Sequence, residues 1–359
     1  MFQFFHRAFS GIPLPIWWLS ATQLVNRIGT MAIPFMTLYL TQKRGFSIEQ
    51  AGFIMMYFGV GTIFGALLGG RFADRFGYRT LMIGSLVLTG FGFLAMLPLT
   101  SFWAISVGIF CLSIVAEAFR PAASMSISSY STSETRLRSF SLYRLAINLG
   151  WTMASALGGL LASLDYSLIF WADGLTCLAS GLFLYVLFKK MPEATRETAK
   201  EPLEKNTQAD HGHPYSEQKS EHTSVWQDGK YLLFVVLTWL NAMVFMQMIW
   251  TVPPFFKEIY HFDEWTIGLV MGLNGLIVFA FEMPIIFTVE KKKPTLWFIR
   301  LGLVLYFLSY LFLGLPLAPM VAAILSIVMV SFGETFVMPF STTFATRCAP
   351  VARQGQFLA

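Results

Sequence analysis

Gly70-Arg71-Phe72-Ala73-Asp74-Arg75-Phe76-Gly77-Tyr78-Arg79 is a short polar stretch set between two long apolar runs, Phe53–Phe72 and Leu81–Leu99. A charged side chain at a bilayer centre costs roughly 2.5–3.5 kcal/mol, so three arginines and an aspartate this close together keep the stretch out of the membrane core. The runs on either side are near the ~20 residues that a spanning helix needs. The stretch therefore reads as a tight turn at a membrane surface between two spanning helices. Gly70 lets another backbone approach closely, and Gly77 permits the turn. Asp74 is an anion that can accept from the free amides of a helix N-terminus. Arg71, Arg75 and Arg79 mark the side on which they lie, because Lys and Arg concentrate on the cytoplasmic face.

Composition extends this reading to the whole chain. Of 359 residues, 55% are hydrophobic and 13% charged, with 36 Phe; a soluble domain carries about 25% charged residues. A bilayer accounts for the excess, since lipid must be faced by apolar side chains along every spanning helix. Ten apolar runs are long enough to span: Ile16–Leu40, Phe53–Phe72, Leu81–Leu99, Phe102–Met125, Leu142–Ala162, Leu168–Phe188, Tyr231–Val252, Ile267–Val289, Leu296–Leu315 and Met320–Phe340. The net charge is +5. The basic residues sit in short loops between apolar runs, which points to membrane topology and not to nucleic acid. Cys111, Cys177 and Cys348 lie in or beside apolar runs and read as small packed residues. The N-terminus has no secretory cleavage pattern, so the first run stays as a helix.

With the N-terminus in the cytoplasm, Arg7, the arginines of the quoted turn, Arg136, Arg138, Arg144, Lys189, Lys190, Lys291, Lys292, Lys293, Arg300, Arg347 and Arg353 all face inside. Lys43, Arg44 and Lys257 are left outside. The opposite orientation reverses this excess. The segment 190–230 is polar and nearly free of aliphatic residues, so it reads as a flexible cytoplasmic linker. His211, His213 and His222 fall within it without a fixed scaffold, and no metal site is inferred. The expected organisation is a six-helix half over 1–189, the linker over 190–230, and a four-helix half over 231–359. A weak repeat runs across the linker. Phe46, Gly52, Gly59, Asp74 and Arg75 match Phe262, Gly268, Gly275, Glu290 and Lys291 at a constant offset. Glu117, Arg136 and Phe140 match Glu334, Arg353 and Phe357 at nearly the same one. Parallel six-helix halves joined by a cytoplasmic loop are a transporter architecture.

The quoted turn resembles the signature loop of the major facilitator superfamily: a Gly, then Asp-Arg, then Gly, then basic residues, directly after the second span. With the spans and the repeat, the resemblance covers the whole chain. It implies an all-α membrane protein with the major facilitator fold, two parallel pseudo-repeated halves, and ten predicted transmembrane helices of an expected twelve. It implies that Gly70, Asp74, Arg75, Gly77 and Arg79 latch the two halves on the cytoplasmic side, Asp74 meeting the eleventh helix. Tyr78 replaces a usual basic residue. A plainer role for the arginines, enforcing topology, is compatible with the latch. In the fifth span, Asn148-Leu-Gly150-Trp-Thr-Met-Ala154-Ser155-Ala-Leu-Gly158-Gly159 resembles the antiporter motif of drug–proton exchangers. Ala154-Ser155 stand where that motif has Gly-Pro, so close small-residue packing survives and the proline kink does not. The fourth span also lacks the family's early arginine.

Ionisable residues inside spans are candidates for proton coupling: Glu117 with Arg120 one turn away, Glu282 before Pro284, and Glu334. Each Glu also has a structural reading, bonding backbone near a proline or docking the cytoplasmic loops. The resemblance places the first helix on a central cavity, which makes Asn26 and Arg27 substrate-cavity candidates. Asn148, Asn241, Gln247, Trp250 and Asn274 are the others, each competing with the role of interhelical glue. Asp173, near the outer end of the sixth span, reads as a partner for an N-terminal helix dipole. No phosphate-binding loop with Lys-Ser/Thr occurs, so ATP is not the expected energy source. The resulting expectation is a secondary transporter without cofactor or metal, in a bacterial inner membrane. It moves a small organic solute by alternating access, with protons as coupling ion and efflux of drugs or metabolites as direction. The alternative is a proton-coupled uptake symporter of a sugar, peptide or organic anion, favoured if Arg27 binds an anionic group. An enzyme or non-transporting sensor ranks far lower. Because the second half shows four spans against six, and the repeat places Arg353 to Phe357 just before a fifth, the chain is expected to be a fragment lacking two helices. A ten-helix protein that dimerises is the rival.

Overall fold

The computed structural model describes residues 11–132, 135–191, 229–289 and 294–348. The linker histidines His211, His213 and His222 lie outside the described residues. So do Arg7, residues 291–293, and the repeat partners Glu290, Arg353 and Phe357. In chain order the helices are α1 (Leu14–Ile28), α2 (Ala32–Leu38), α3 (Ile48–Phe76), α4 (Tyr78–Met96), α5 (Phe102–Glu117), α6 (Phe119–Tyr130) and α7 (Arg136–Leu164). They continue with α8 (Ser167–Lys190), α9 (Gly229–Trp250), α10 (Val252–Glu258), α11 (Glu264–Val289), α12 (Thr295–Gly314) and α13 (Pro319–Cys348). The described residues contain no strand.

Among them, nine helical stretches are long and apolar enough to cross a membrane. These correspond to nine of the ten expected spans. The exception is Ile16–Leu40, which is not one continuous helix. α1 stops at Ile28, α2 starts at Ala32, and a π-helical turn, Tyr39–Lys43, follows. The cause is local. Pro34 has no amide to give to the Thr30 carbonyl one turn back, and its ring crowds that carbonyl, so a helix is more easily begun just before it than continued through it. The fourth and seventh spans are interrupted in the same manner. α5 gives way to α6 at Ala118, just before Pro121, and α9 gives way to α10 at Thr251, just before Pro253-Pro254. Gly77, at φ 82°, makes the turn between α3 and α4.

Phe53, Ile63, Leu67, Trp103, Val107, Leu164 and Leu182 are exposed. In water these side chains would be a liability; they are the faces that lipid covers.

Close packing divides the chain into two units: Met1–Ala199 with Trp250–Leu276, and Lys200–Ile249 with Ile277–Ala359. In the first, α3 lies on α5 through small residues. A Cβ on Gly65 would stand 2.5 Å from the Ile114 carbonyl oxygen, and one on Gly69 2.7 Å from Ala118 Cα. The segment Trp250–Leu276, expected in the second half, packs with the first six spans because α7 and α11 also meet backbone to backbone. A Cβ on Gly159 would lie 2.9 Å from Gly268 Cα, and one on Gly275 2.8 Å from the Asn148 carbonyl oxygen. Between lipid-solvated helices such close approach takes the place of a hydrophobic driving force. In the second unit α12 and α13 meet likewise at Gly302 and Gly333, with a hydroxyl pair, Ser309–Ser326, at 3.1 Å.

Candidate functional site

The first unit gathers four of the expected functional residues. Arg120 Nε pairs with Glu117 Oε1 at 2.7 Å, the Glu side chain 17% exposed and the Arg side chain 72%. The pair straddles the break at Ala118, where α5 ends and α6 begins. Arg27, on α1, lies within electrostatic range of both Glu117 and Arg120, and of Tyr143 and Cys177. Its Nε is buried and has no hydrogen-bond partner among the described residues. Asn26, the neighbouring candidate, accepts from Cys177 Sγ at 3.5 Å. The backbone of α7 comes close here, since a Cβ on Gly150 would collide with Arg27 Cβ.

Two further polar residues near Arg27, one along its own helix and one across from it, lie outside the sequence expectation. Gln23 is 1% exposed and its Oε1 has no partner among the described residues. It sits one turn before Arg27 on the same helix, a spacing that puts both on one face, and that signal is present in the sequence. Tyr143, on α7, has no such signal. The cluster holds two guanidiniums against one carboxylate, Arg27 and Arg120 against Glu117. Protonating Glu117 would release Arg120 from its pair, and an anionic group would answer the excess of positive charge.

Asp173 is the other feature of this unit. Its side chain is 0% exposed. Its two carboxylate oxygens accept from Met31 N and Ala32 N, each at 2.8 Å. The helix N-terminus it meets is therefore that of α2, not that of its own helix α8. An intramembrane carboxylate costs roughly 2.5–3.5 kcal/mol, and here two backbone donors that the break leaves without helical partners offset it.

The remaining candidates divide between the units. Asn148 faces α11, its carbonyl receiving Thr152 Oγ1 at 3.1 Å. Trp250 stacks edge-on against Phe58 with centroids 5.7 Å apart, and Asn274 is buried. In the second unit Asn241 and Glu282 are buried. Gln247 Nε2 donates to the Met243 carbonyl of its own helix at 3.2 Å. Glu334 is an electrostatic neighbour of Tyr306, whose ring packs on Gly333.

The turn at residues 70–79 has a plain geometry. Asp74 and Arg75 are exposed. Asp74 makes no hydrogen bond or ion pair among the described residues. A Cβ added to Gly70 would meet nothing within 4 Å, so the close approach falls one residue earlier, at Gly69. Arg79 turns inward, donating to the Tyr130 hydroxyl and, at 3.1 Å, to the Phe188 carbonyl. It ties α4 to α6 and α8.

The opposite end of the same unit is cross-linked. Lys43 Nζ contacts Asp165 at 2.7 Å, and the Asp165 carboxylate also accepts from Ser167 N at 2.6 Å. Together these hold Asp165 at about 2, below the usual carboxylate value, with the Lys43 hydrogen bond the larger cause. Arg44 donates to the Leu97 carbonyl at 2.8 Å. Glu264 receives the Tyr166 hydroxyl at 2.8 Å and pairs with Lys257 at 2.8 Å.

The Major Facilitator Superfamily model matches residues 19–359, and the chain belongs to that family; it is a multi-pass membrane transporter. It is 26% identical to the Na(+), Li(+), K(+)/H(+) antiporter of Planococcus maritimus, across 92% of this chain and 80% of that protein. A putative sugar efflux transporter of Deinococcus radiodurans is 23% identical, across 88% of this chain and 80% of its own length. Among solved structures, a peptide transporter POT in complex with alafosfalin superposes with a TM-score of 0.74 at 17% identity, covering 98% of this chain and 85% of its own. A D-xylose-proton symporter does so with a TM-score of 0.67 at 18% identity, covering 96% and 84%.

Proposed function

We propose that the protein is a proton-coupled secondary transporter that exports a small organic solute by alternating access. The observation that carries this reading is the grouping of Arg27, Glu117 and Arg120 beside two broken spans, the carboxylate mostly covered and Arg120 open to solvent. It is a carboxylate whose pairing with Arg120 competes with a proton, within electrostatic range of a neighbouring helix that carries a guanidinium nitrogen without a hydrogen-bond partner among the described residues. The antiporter and sugar efflux relatives support coupling and outward direction. The organisation we propose is two parallel halves, 1–189 and 231–359, joined by a linker over 190–230. The N-terminus, the linker and the turn at 70–79 lie in the cytoplasm, and Lys43, Lys257 and Asp263 outside; the Lys/Arg distribution supports this. Gly70, Asp74, Arg75, Gly77 and Arg79 then serve as conformational latch. Glu282 and Glu334 are secondary coupling candidates, and Asn26, Asn148, Asn241, Gln247, Trp250 and Asn274 are cavity candidates.

The excess of guanidinium over carboxylate in the cluster favours a second reading, uptake of an organic anion with a proton. Reconstitution into vesicles with an imposed pH gradient separates the two by the direction of solute flux. Glu117→Gln should abolish gradient-driven transport, a loss of more than about tenfold, while sparing exchange of solute across the membrane. Gradient-driven flux unchanged in that variant would remove Glu117 from the coupling role. Cysteine labelling near Asn206 and Asp263 tests the orientation, with Asn206 expected inside and Asp263 outside.

A further inference from the structure

We infer that Asp173 is a positioning residue that holds the first span broken and thereby fixes Gln23, Asn26 and Arg27 in place. In an unbroken helix Met31 N would donate to the Arg27 carbonyl and Ala32 N to the Ile28 carbonyl. The Arg27 carbonyl is instead taken by Thr30, from its amide at 3.1 Å and its hydroxyl at 2.7 Å. The two displaced donors go to the two oxygens of Asp173, so the carboxylate supplies what the break removes. Pro34 permits the break but does not set where the two pieces stand; a contact from another helix has to do that.

α8 makes that contact along one face, at three levels. Asp173 meets Met31 and Ala32 at the start of α2. One turn on, Thr176 lies so close to Gly29 that any Cβ there would overlap its Oγ1. The adjacent Cys177 meets Asn26, the residue beside Arg27. The same stripe of α8 thus runs from the break to the site, and the end of α1 can shift only if this stripe lets go. Asn in place of Asp173 keeps the size but offers one good acceptor and one donor, and the donor would face an amide N–H. Asp173 touches no residue of the Arg27–Glu117–Arg120 group directly and acts on it through the backbone of α1.

This inference rests on the proposed role of Arg27 only for its consequence in transport; its structural core is tested without any solute. Amide hydrogen exchange, followed by mass spectrometry on the full chain in detergent, should compare the native protein with Asp173→Asn. The expected result is exchange at least tenfold faster in peptides covering Met31 to Phe35, and also in peptides covering Gln23 to Ile28. Faster exchange confined to Met31 and Ala32 would reduce Asp173 to a local cap and overturn the positioning role, as would no change at all. Gly29→Ala, which forces α8 away while leaving Asp173 intact, should give the same two-segment signature. It decides the matter if Asp173→Asn fails to insert: normal exchange in both segments of Gly29→Ala would then overturn the inference.

Discussion

The two ends of the first unit carry similar numbers of charged residues and use them in opposite ways. At the end formed by residues 70–79, Asp74 and Arg75 are exposed, Arg75 lies over the ring of its neighbour Phe76, and Arg79 is spent on holding α4 to α6 and α8. At the other end, polar links join elements far apart in the chain, Lys43 to Asp165 and Tyr166 to Glu264, and Lys257 pairs with the same Glu264 from the preceding helix. Below that network α7 and α11 touch at Gly159 and Gly268. One end pins the segment Trp250–Leu276 to the first six spans; the other keeps its motif charges available.

The largest expected effect tests whether backbone contact is what separates the two ends. Gly268→Ala places a methyl group against the Ser155 carbonyl and the backbone of Gly159, where neither neighbour can yield. It should cost about 3 kcal/mol of stability, the upper part of the range for overpacking. Gly70→Ala adds the same methyl where nothing lies within 4 Å, and should be neutral or stabilising by up to about 1 kcal/mol, because Ala is the better helix former. Thermal melting of both variants in detergent gives the comparison. Equal losses would mean that the glycines of the two ends are equivalent and that the α7–α11 contact is not what pins the segment.

A smaller effect is expected from the charges themselves. Glu264→Gln weakens its links to both Lys257 and Tyr166, and should cost about 2 kcal/mol, since hydrogen bonds to a charged group are the stronger kind. Asp74→Asn should leave the stability within about 0.5 kcal/mol of the native value, as for a surface site, while transport falls through a shifted balance of states. The sharp form of the comparison is this crossing: Glu264 acts on stability and Asp74 on transport. Normal transport by Asp74→Asn would reduce the turn to a topology signal.

How much of this is legible in the sequence follows from the kind of physics involved. The bilayer imposes its thickness on sequence, so nine spans are legible as apolar runs. The first span is legible as a run but not as a broken helix, because hydropathy does not register Pro34, which permits the break through a missing amide. Glu117 and Arg120 announce each other by their spacing. Arg27 does not announce Glu117, since nothing local links α1 to the end of α5. Asp173 is recognisable as a dipole partner but not for α2, because its partners are backbone amides and carry no side-chain signature. The stripe Gly268-Gly272-Gly275 is visible as a glycine pattern, two of its members belonging to the repeat; that it faces α7 is information only the fold holds. Gln23, one turn from Arg27, is a signal in the sequence whose meaning emerges only with its burial.

The smallest expected effect concerns Lys43 and Asp165, where the cross-linked end is most exposed to solvent. The hydrogen bond from Lys43, with the smaller help of Ser167, lowers Asp165 from 3.8 to about 2. A carboxylate depressed in the folded protein contributes stability above its unfolded value, and loses it as the pH falls through the folded one. The contribution should therefore be complete above 3.8 and fade between there and about 2. Both side chains are more than a third exposed, at 38% and 46%, so water and salt screen the pair and its worth should stay under about 1 kcal/mol. Lys43→Met should accordingly melt slightly below the native protein near about pH 5, with the gap closing toward about pH 2 as Asp165 takes up its proton. High salt should narrow the gap at the higher pH, as it does for exposed pairs. A gap that persists undiminished at the lower pH would assign the effect to packing of the Lys43 side chain, and would leave Glu264 as the charge that distinguishes this end of the unit from the other.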